Sequence, residues 1–131
     1  MAQFLRTATP MGDWRSFKST VEITDGIDSG EIYLVEDTPA IALEDYDFGD
    51  EAVFIYHAEK VCVHKEVDTG EVFEVGDRVY WSGTDGDPVT AEWETGYYWI
   101  GIATEPAAQA DTHVEIDFKG DKATIGNDMP T

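Results

Sequence analysis

The feature of this chain that most constrains its fold is a rhythm of short runs. Apolar residues recur at every second position for a few residues, and a turn signal then ends the run before a helical period develops. Val21 and Ile23 share one face of Ser19–Thr24. Further runs follow at Glu31–Val35, Ala40–Leu43, Glu51–His57, Lys60–Lys65, Glu71–Val75, Arg78–Trp81, Val89–Trp93, Tyr97–Thr104 and Thr112–Phe118. The breaks are Asp25-Gly26, Ser29-Gly30, Glu36–Pro39, the acidic loop Glu44–Asp50, Thr69-Gly70, Gly76-Asp77, Ser82–Pro88 and Gly96, all of turn-forming composition. About nine short strands with turns near every tenth residue indicate an all-β barrel or sandwich of antiparallel strands. Only Glu105–Ala110 reads as a single helical turn. Gly101, inside the most apolar run, marks a bulge or a close approach of backbones. No internal repeat and no linker is evident.

Within the runs, faces are assigned by alternation. Val61, Val63 and Lys65 fall opposite Cys62 and His64, and Val114, Ile116 and Phe118 share the inner face of the last run. The 131 residues suffice for one domain, and the 16 aromatics supply a core. The body is read as residues 19–118, preceded by an extended arm at 1–18 and followed by a tail at 119–131. The arm has no sustained period, contains Pro10 and Gly12, and carries Phe4, Leu5, Met11, Trp14 and Phe17, which need a surface to cover.

The net charge of −20 is unevenly spread. Residues 1–18 carry Arg6, Arg15 and Lys18 against the single acid Asp13, so the rest of the chain stands at −22. That balance excludes nucleic acid and anionic membrane surfaces as partners, since both require clustered cations. No apolar stretch approaches membrane-spanning length, and no N-terminal run resembles a secretory signal, so synthesis in the cytoplasm as a soluble chain is expected. The single cysteine, Cys62, leaves packing or oligomerisation rather than a disulfide to stabilise the fold.

Signals for chemistry are few. Cys62 and His64 share a strand face, but a zinc site needs a third and fourth ligand, and His57 or His113 would supply them only through tertiary proximity. Asp45, Asp47 and Asp50 form a D-x-D-x-x-D cluster that oxygen-ligated Ca²⁺ could use, and Asp85 and Asp87 form a second acidic loop. With 28 acids in the chain, such clusters also arise as ordinary turn chemistry, and no metal or cofactor is assigned. The nucleophile elbow, the His-Glu-x-x-His motif and the phosphate-binding glycine loop are all missing, and no catalytic residue is assigned. Tyr80, Trp81, Tyr97 and Trp99 are read as core or as an oligomer interface.

Thr69–Trp81 (TGEVFEVGDRVYW), followed by a turn-rich loop, Tyr98–Pro106 (YWIGIATEP), AAQAD at 107–111 and THVEIDF at 112–118, resembles the small proteins that decorate or cement tailed-phage capsids. The opening strands from Gly30 to Lys65 fit the same arrangement. The resemblance implies a compact β-barrel or β-tulip body without enzymatic activity. It also implies homotrimers on the outer capsid surface of the virion, bound to the major capsid protein and cementing its neighbouring subunits. An N-terminal segment would order on the shell, with Phe4, Leu5, Arg6, Trp14, Arg15, Phe17 and Lys18 at the contact. On this reading a chain lacking residues 1–18 folds but does not bind capsids. The alternatives are a Ca²⁺-dependent or carbohydrate-binding β module, another virion component such as a tail or spike subunit, and a small enzyme using His64 and Cys62.

Overall fold

The computed structural model describes residues 14–120 and the short strand at 124–125. The chain is all-β, with no helix among the described residues and a sheet curled into a half-barrel. The strands are β1 (Trp14–Thr20), β2 (Ile32–Val35), β3 (Thr38–Ala42), β4 (Glu51–His64), β5 (Arg78–Trp81), β6 (Tyr98–Ala103), β7 (His113–Lys119) and β8 (Thr124–Ile125). They lie in the order β2-β3-β4-β7-β6-β5, with β1 paired to β4 and β8 to β6, and every strand pairing is antiparallel. Glu36 and Asp37, both at positive φ, make the two-residue turn between β2 and β3 that matches the twist of its strands.

β4 is the axis of the molecule. Its 14 residues merge two runs that the sequence presents separately. The register slips between Ala58 and Val61, where Lys60 takes a positive φ and its N–H reaches the Asp117 carboxylate at 3.1 Å. That bulge bends the strand. Before it, β4 pairs with β1 on one side and with β3 on the other; the pairing with β7 starts at His57 and Ala58 and continues beyond the bulge from Val61.

This arrangement uncovers an internal duplication invisible in the sequence. Ile27 and Tyr46 exchange backbone hydrogen bonds of 2.9 and 3.1 Å, and Phe73 and Ala107 exchange two of 2.9 Å. Each of these four residues is followed by a four-residue turn: Asp28–Glu31, Asp47–Asp50, Glu74–Asp77 and Ala108–Asp111. The turns feed β2, β4, β5 and β7 in that order. Equivalent bonds lace each half: Gly30 N to Ala42 O (2.9 Å) and Ala42 N to Glu31 O (3.0 Å) answer Gly76 N to Ala103 O and Ala103 N to Asp77 O (both 2.8 Å). The unit β1-β2-β3-β4 thus recurs as β4-β5-β6-β7, with β4 shared.

The two ends of the sheet meet. Beyond β5, the loop Ser82–Asp87 caps the edge of β2: Gly86 N donates to Ile32 O, and the Asp85 carboxylate accepts from Leu34 N, both at 2.8 Å. An open edge that would invite another chain is thereby occupied. Inside lies the main core, with Trp81, Phe73, Phe118, Ile100 and Ile116 fully buried. A second cluster, built on Phe54, Tyr33, Ile27 and Val21, lies on the opposite face of the β2-β3-β4 half and uses the alternate residues of those strands.

Several elements differ from the sequence expectation. Trp14–Lys18, read as arm, begin β1, whose register slips between Arg15 and Ser16. Trp14 packs against the main core and Phe17 against the second cluster on the opposite face, so β1 shows no one-sided apolar alternation to a period-two search. Val21 and Ile23 lie beyond β1, not within a strand. Glu71–Val75 and Val89–Trp93 make only isolated bridges, and the segment read as a helical turn is the bridge at Ala107 and its turn. Part of the segment read as a tail is β8, on the edge of β6.

Gly101 sits where β6 and β7 approach so closely that a Cβ there would stand 2.1 Å from the Asp117 carbonyl oxygen. Gly101→Ala is expected to lower stability by about 1–3 kcal/mol through forced separation of these strands, read as a drop in urea midpoint. An unchanged midpoint would show that the strands yield freely.

Candidate functional site

The residues singled out in the sequence take different places. Trp81 is core, its indole N–H donating to Asp87 O at 3.1 Å. Tyr80, Tyr97 and Trp99 are half-buried instead. Trp99 lies under the Arg78 guanidinium at 4.3 Å, and its indole N–H is bonded to Gly101 O at 2.9 Å. Trp14 and Phe17 pack on the body itself: the Trp14 indole N–H reaches Glu59 O at 3.2 Å, and Phe17 stacks beside Phe54 and Tyr56 at 5.9 and 6.0 Å. Arg15 and Lys18 are exposed on β1. Phe4, Leu5 and Arg6 lie outside the described residues.

The acidic cluster is occupied by turn chemistry. The Asp45 carboxylate accepts from Ser29 N at 2.7 Å, and the Asp50 carboxylate accepts from Asp47 N at 2.9 Å. Asp77 and Asp111 cap their turns in the same way, from Glu74 N at 2.8 Å and Ala108 N at 2.9 Å. Among the described residues no three His, Cys, Asp or Glu side chains are grouped so as to hold a metal ion. A cleft of about 290 Å³ beside Tyr97 is lined by Glu66, Asp68, Glu71, Asp87 and Glu94.

Two charged side chains missed by sequence reasoning hold this end together. Lys65 is 4% exposed, and its ammonium lies within hydrogen-bond distance of four backbone carbonyls, Glu66 at 2.7 Å, Ala108 and Gln109 at 3.1 Å and Asp111 at 3.0 Å, so that two of them share one of its three N–H donors. The carbonyl cradle compensates the desolvation of the cation and clamps the turn before β7 to the end of β4. Glu71, also buried, accepts from the Thr90 hydroxyl and from Ala91 N at 2.8 Å. The alternation of Val61, Val63 and Lys65 placed Lys65 inward, but nothing local names its four acceptors. Lys65→Met should cost about 3 kcal/mol by stranding these carbonyls, measured by chemical denaturation.

Cys62 and His64 do find partners across the strand. Cys62 faces Glu115, and His64 faces His113, their rings 4.3 Å apart. Burial, and then the charge of Glu115, push the Cys62 thiol upward, opposite to what a nucleophile requires. His113 is held below its ordinary 6.5 by burial and then by His64. The unfolded chain therefore takes up this proton first, and the contribution of His113 to stability, present above about pH 6.5, is lost as pH falls.

Glu31 and Glu66 act in the opposite sense. Their carboxyls are raised above 4.5, first by burial and then by neighbouring acids: Asp28 for Glu31, and Asp68, Glu71 and Asp87 for Glu66. Their contributions are complete below 4.5 and are lost as pH rises through the folded values. Between about pH 7.5 and 5.5, the Tm of a His113→Asn chain should therefore rise more, or fall less, than that of the parent. Parallel Tm curves would remove the histidine pair from the pH dependence.

The described residues open to solvent are mainly acids and turn residues, with cations such as Arg15, Lys18 and Lys60 and a few apolar tips. Phe48 is 60% and Val75 66% exposed, and Val67 and Val72 are both 47% exposed. No curated protein matches the chain. A family model described as phage cement protein matches residues 12–118, which takes in β1 through most of β7. The chain belongs to the phage cement protein family.

Proposed function

We propose that this protein binds the outer surface of a tailed-phage icosahedral head, joins neighbouring major capsid subunits and stabilises the mature shell without catalysing a reaction. The observation that carries this reading is the family match across almost the whole described sheet, 12–118. The physical character of the body supports it. The sheet has a paired or covered edge at β2, and the cysteine–histidine face carries a thiol raised by burial. A net charge of −20 keeps free copies apart and away from released DNA.

The finer parts of the proposal are a homotrimer of β-tulip type and a docking arm. Since Trp14 and Phe17 have partners within the sheet, the arm is assigned to residues 1–13, where Phe4, Leu5 and Arg6 meet the shell. Arg15 and Lys18, exposed on β1, add cations beside it. Binding to the intact lattice in preference to its separated subunits stabilises the shell by mass action.

Co-sedimentation with heads lacking the protein tests the proposal, followed by heating to the point of DNA release. Saturable binding that raises the release temperature is expected, and failure to bind mature heads would refute it. A chain lacking residues 1–13 should keep its Tm and lose most head binding; normal binding by it would discard the arm. Removing 1–18 instead deletes most of β1 and should lower the Tm itself, contrary to the expectation from sequence.

A further inference from the structure

The duplicated turn carries information beyond the fold. Its second position is Ser29, Phe48, Val75 and Gln109 in the four copies. The turn closes with serine or glutamine there, so its geometry does not call for an apolar side chain. Yet Phe48 is 60% and Val75 66% exposed, among the few large apolar side chains that the described fold leaves in water. Both turns are rigid. Asp50 N donates to Asp47 O and Asp77 N to Glu74 O at 3.0 Å, and each closing aspartate also accepts the first N–H of its turn. A tip held in this way loses little freedom on binding.

The two tips lie at opposite ends of β4. The Phe48 turn leads directly into Glu51, the first residue of that strand. The Val75 turn is laced to Ala103 and, through the Phe73–Ala107 bridge, to the turn that Lys65 clamps just beyond His64. Val67 and Val72 belong to this second end, in the connection from Lys65 to Phe73. At about 3.3 Å per residue, β4 runs for at most about 40 Å along its bent course between the two ends. Both tips are rimmed by acids: Asp47, Asp50 and Glu51 around Phe48, and Asp68, Glu74 and Asp77 around the valines.

We propose that the body's own share of the capsid contact, made beside that of the arm, is divided between these two ends, Phe48 docking on one major capsid subunit and Val72 and Val75 on its neighbour. Each apolar tip fits a recess bordered by lysine or arginine on the shell. The inference rests on the cement reading above and adds to it which side chains make the bridge. A duplicated device suits a lattice because neighbouring subunits of a shell present the same surface twice. Cementing then follows from bivalence: each end binds weakly, and the tie between subunits comes from holding both at once.

The test uses full-length protein and heads that lack it, with Phe48→Ser, the pair Val72→Ser and Val75→Ser, and all three together. Circular dichroism and Tm, expected unchanged because these side chains are exposed, establish folding, and Phe48→Leu serves as the conservative control. Each single-end variant is expected to bind about tenfold to a hundredfold more weakly and no longer to raise the DNA-release temperature. The triple variant should show no saturable binding, and Phe48→Leu should bind as the parent does.

Single-end variants that bind and stabilise heads normally would overturn the proposal while leaving the cement function intact. So would a single-end variant as defective as the triple, since one end would then carry the whole contact. Unchanged head binding with an altered sedimentation coefficient of the free protein would assign the tips to self-association instead. If the parent chain itself does not bind heads, the cement reading fails and this proposal with it.

Discussion

Everything in this fold hangs on one bent strand. β4 pairs with β1 up to Ala58, with β3 at Phe54 and Ile55, and with β7 from His57 onward, and the bulge at Ala58–Val61 bends it within the β7 pairing, where the pairing with β1 ends. Without the bend the two halves would continue as a flat sheet with two open edges. With it, the loop after β5 comes round to the edge of β2, where Gly86 and Asp85 complete the hydrogen bonding of Ile32 and Leu34. Closure matters for a small domain without disulfides, because an uncovered edge is both a stability loss and a site for unwanted pairing.

The polar interior serves the same end. Lys65 neutralises a converging set of carbonyls at the far end of β4, and Glu71 ties the following connection to Thr90 and Ala91. These groups fix loops that a core of this size does not reach. The consequence for function is that turns, elsewhere the most mobile parts of a chain, become rigid display points. In a chain of 28 acids, the few apolar side chains displayed there stand out chemically.

Much of the architecture was legible because burial and period agree. Val114, Ile116 and Phe118 alternate in the sequence and are buried in β7, and Val61, Val63 and Lys65 face inward as their spacing requires. Gly101 signals a close approach and makes one. β1 escaped notice because its two large apolar side chains lie on opposite faces, Trp14 against the main core and Phe17 against the second cluster, so neither face alternates. Glu71–Val75 misled in the other direction. Its residues alternate like a strand, but only Glu71 and Phe73 are buried, and the segment ends in a turn whose valine points out.

Alternation and turn chemistry in the sequence determined the all-β class and which residues of the late strands share a face, and composition determined the strongly acidic charge. These are local or additive properties, carried by residues a few positions apart or by composition alone. The tertiary structure decided which strands pair, that the chain is two copies of one unit sharing β4, and which cation fills the carbonyl cradle. It also set His64 against His113 and sent the two apolar tips to opposite ends of β4. The physical reason is that each of these depends on backbone groups brought together across dozens of residues. Hydrogen bonds between main chains repeat a geometry without repeating side chains, so a duplication can persist in the bonds after it has faded from the sequence.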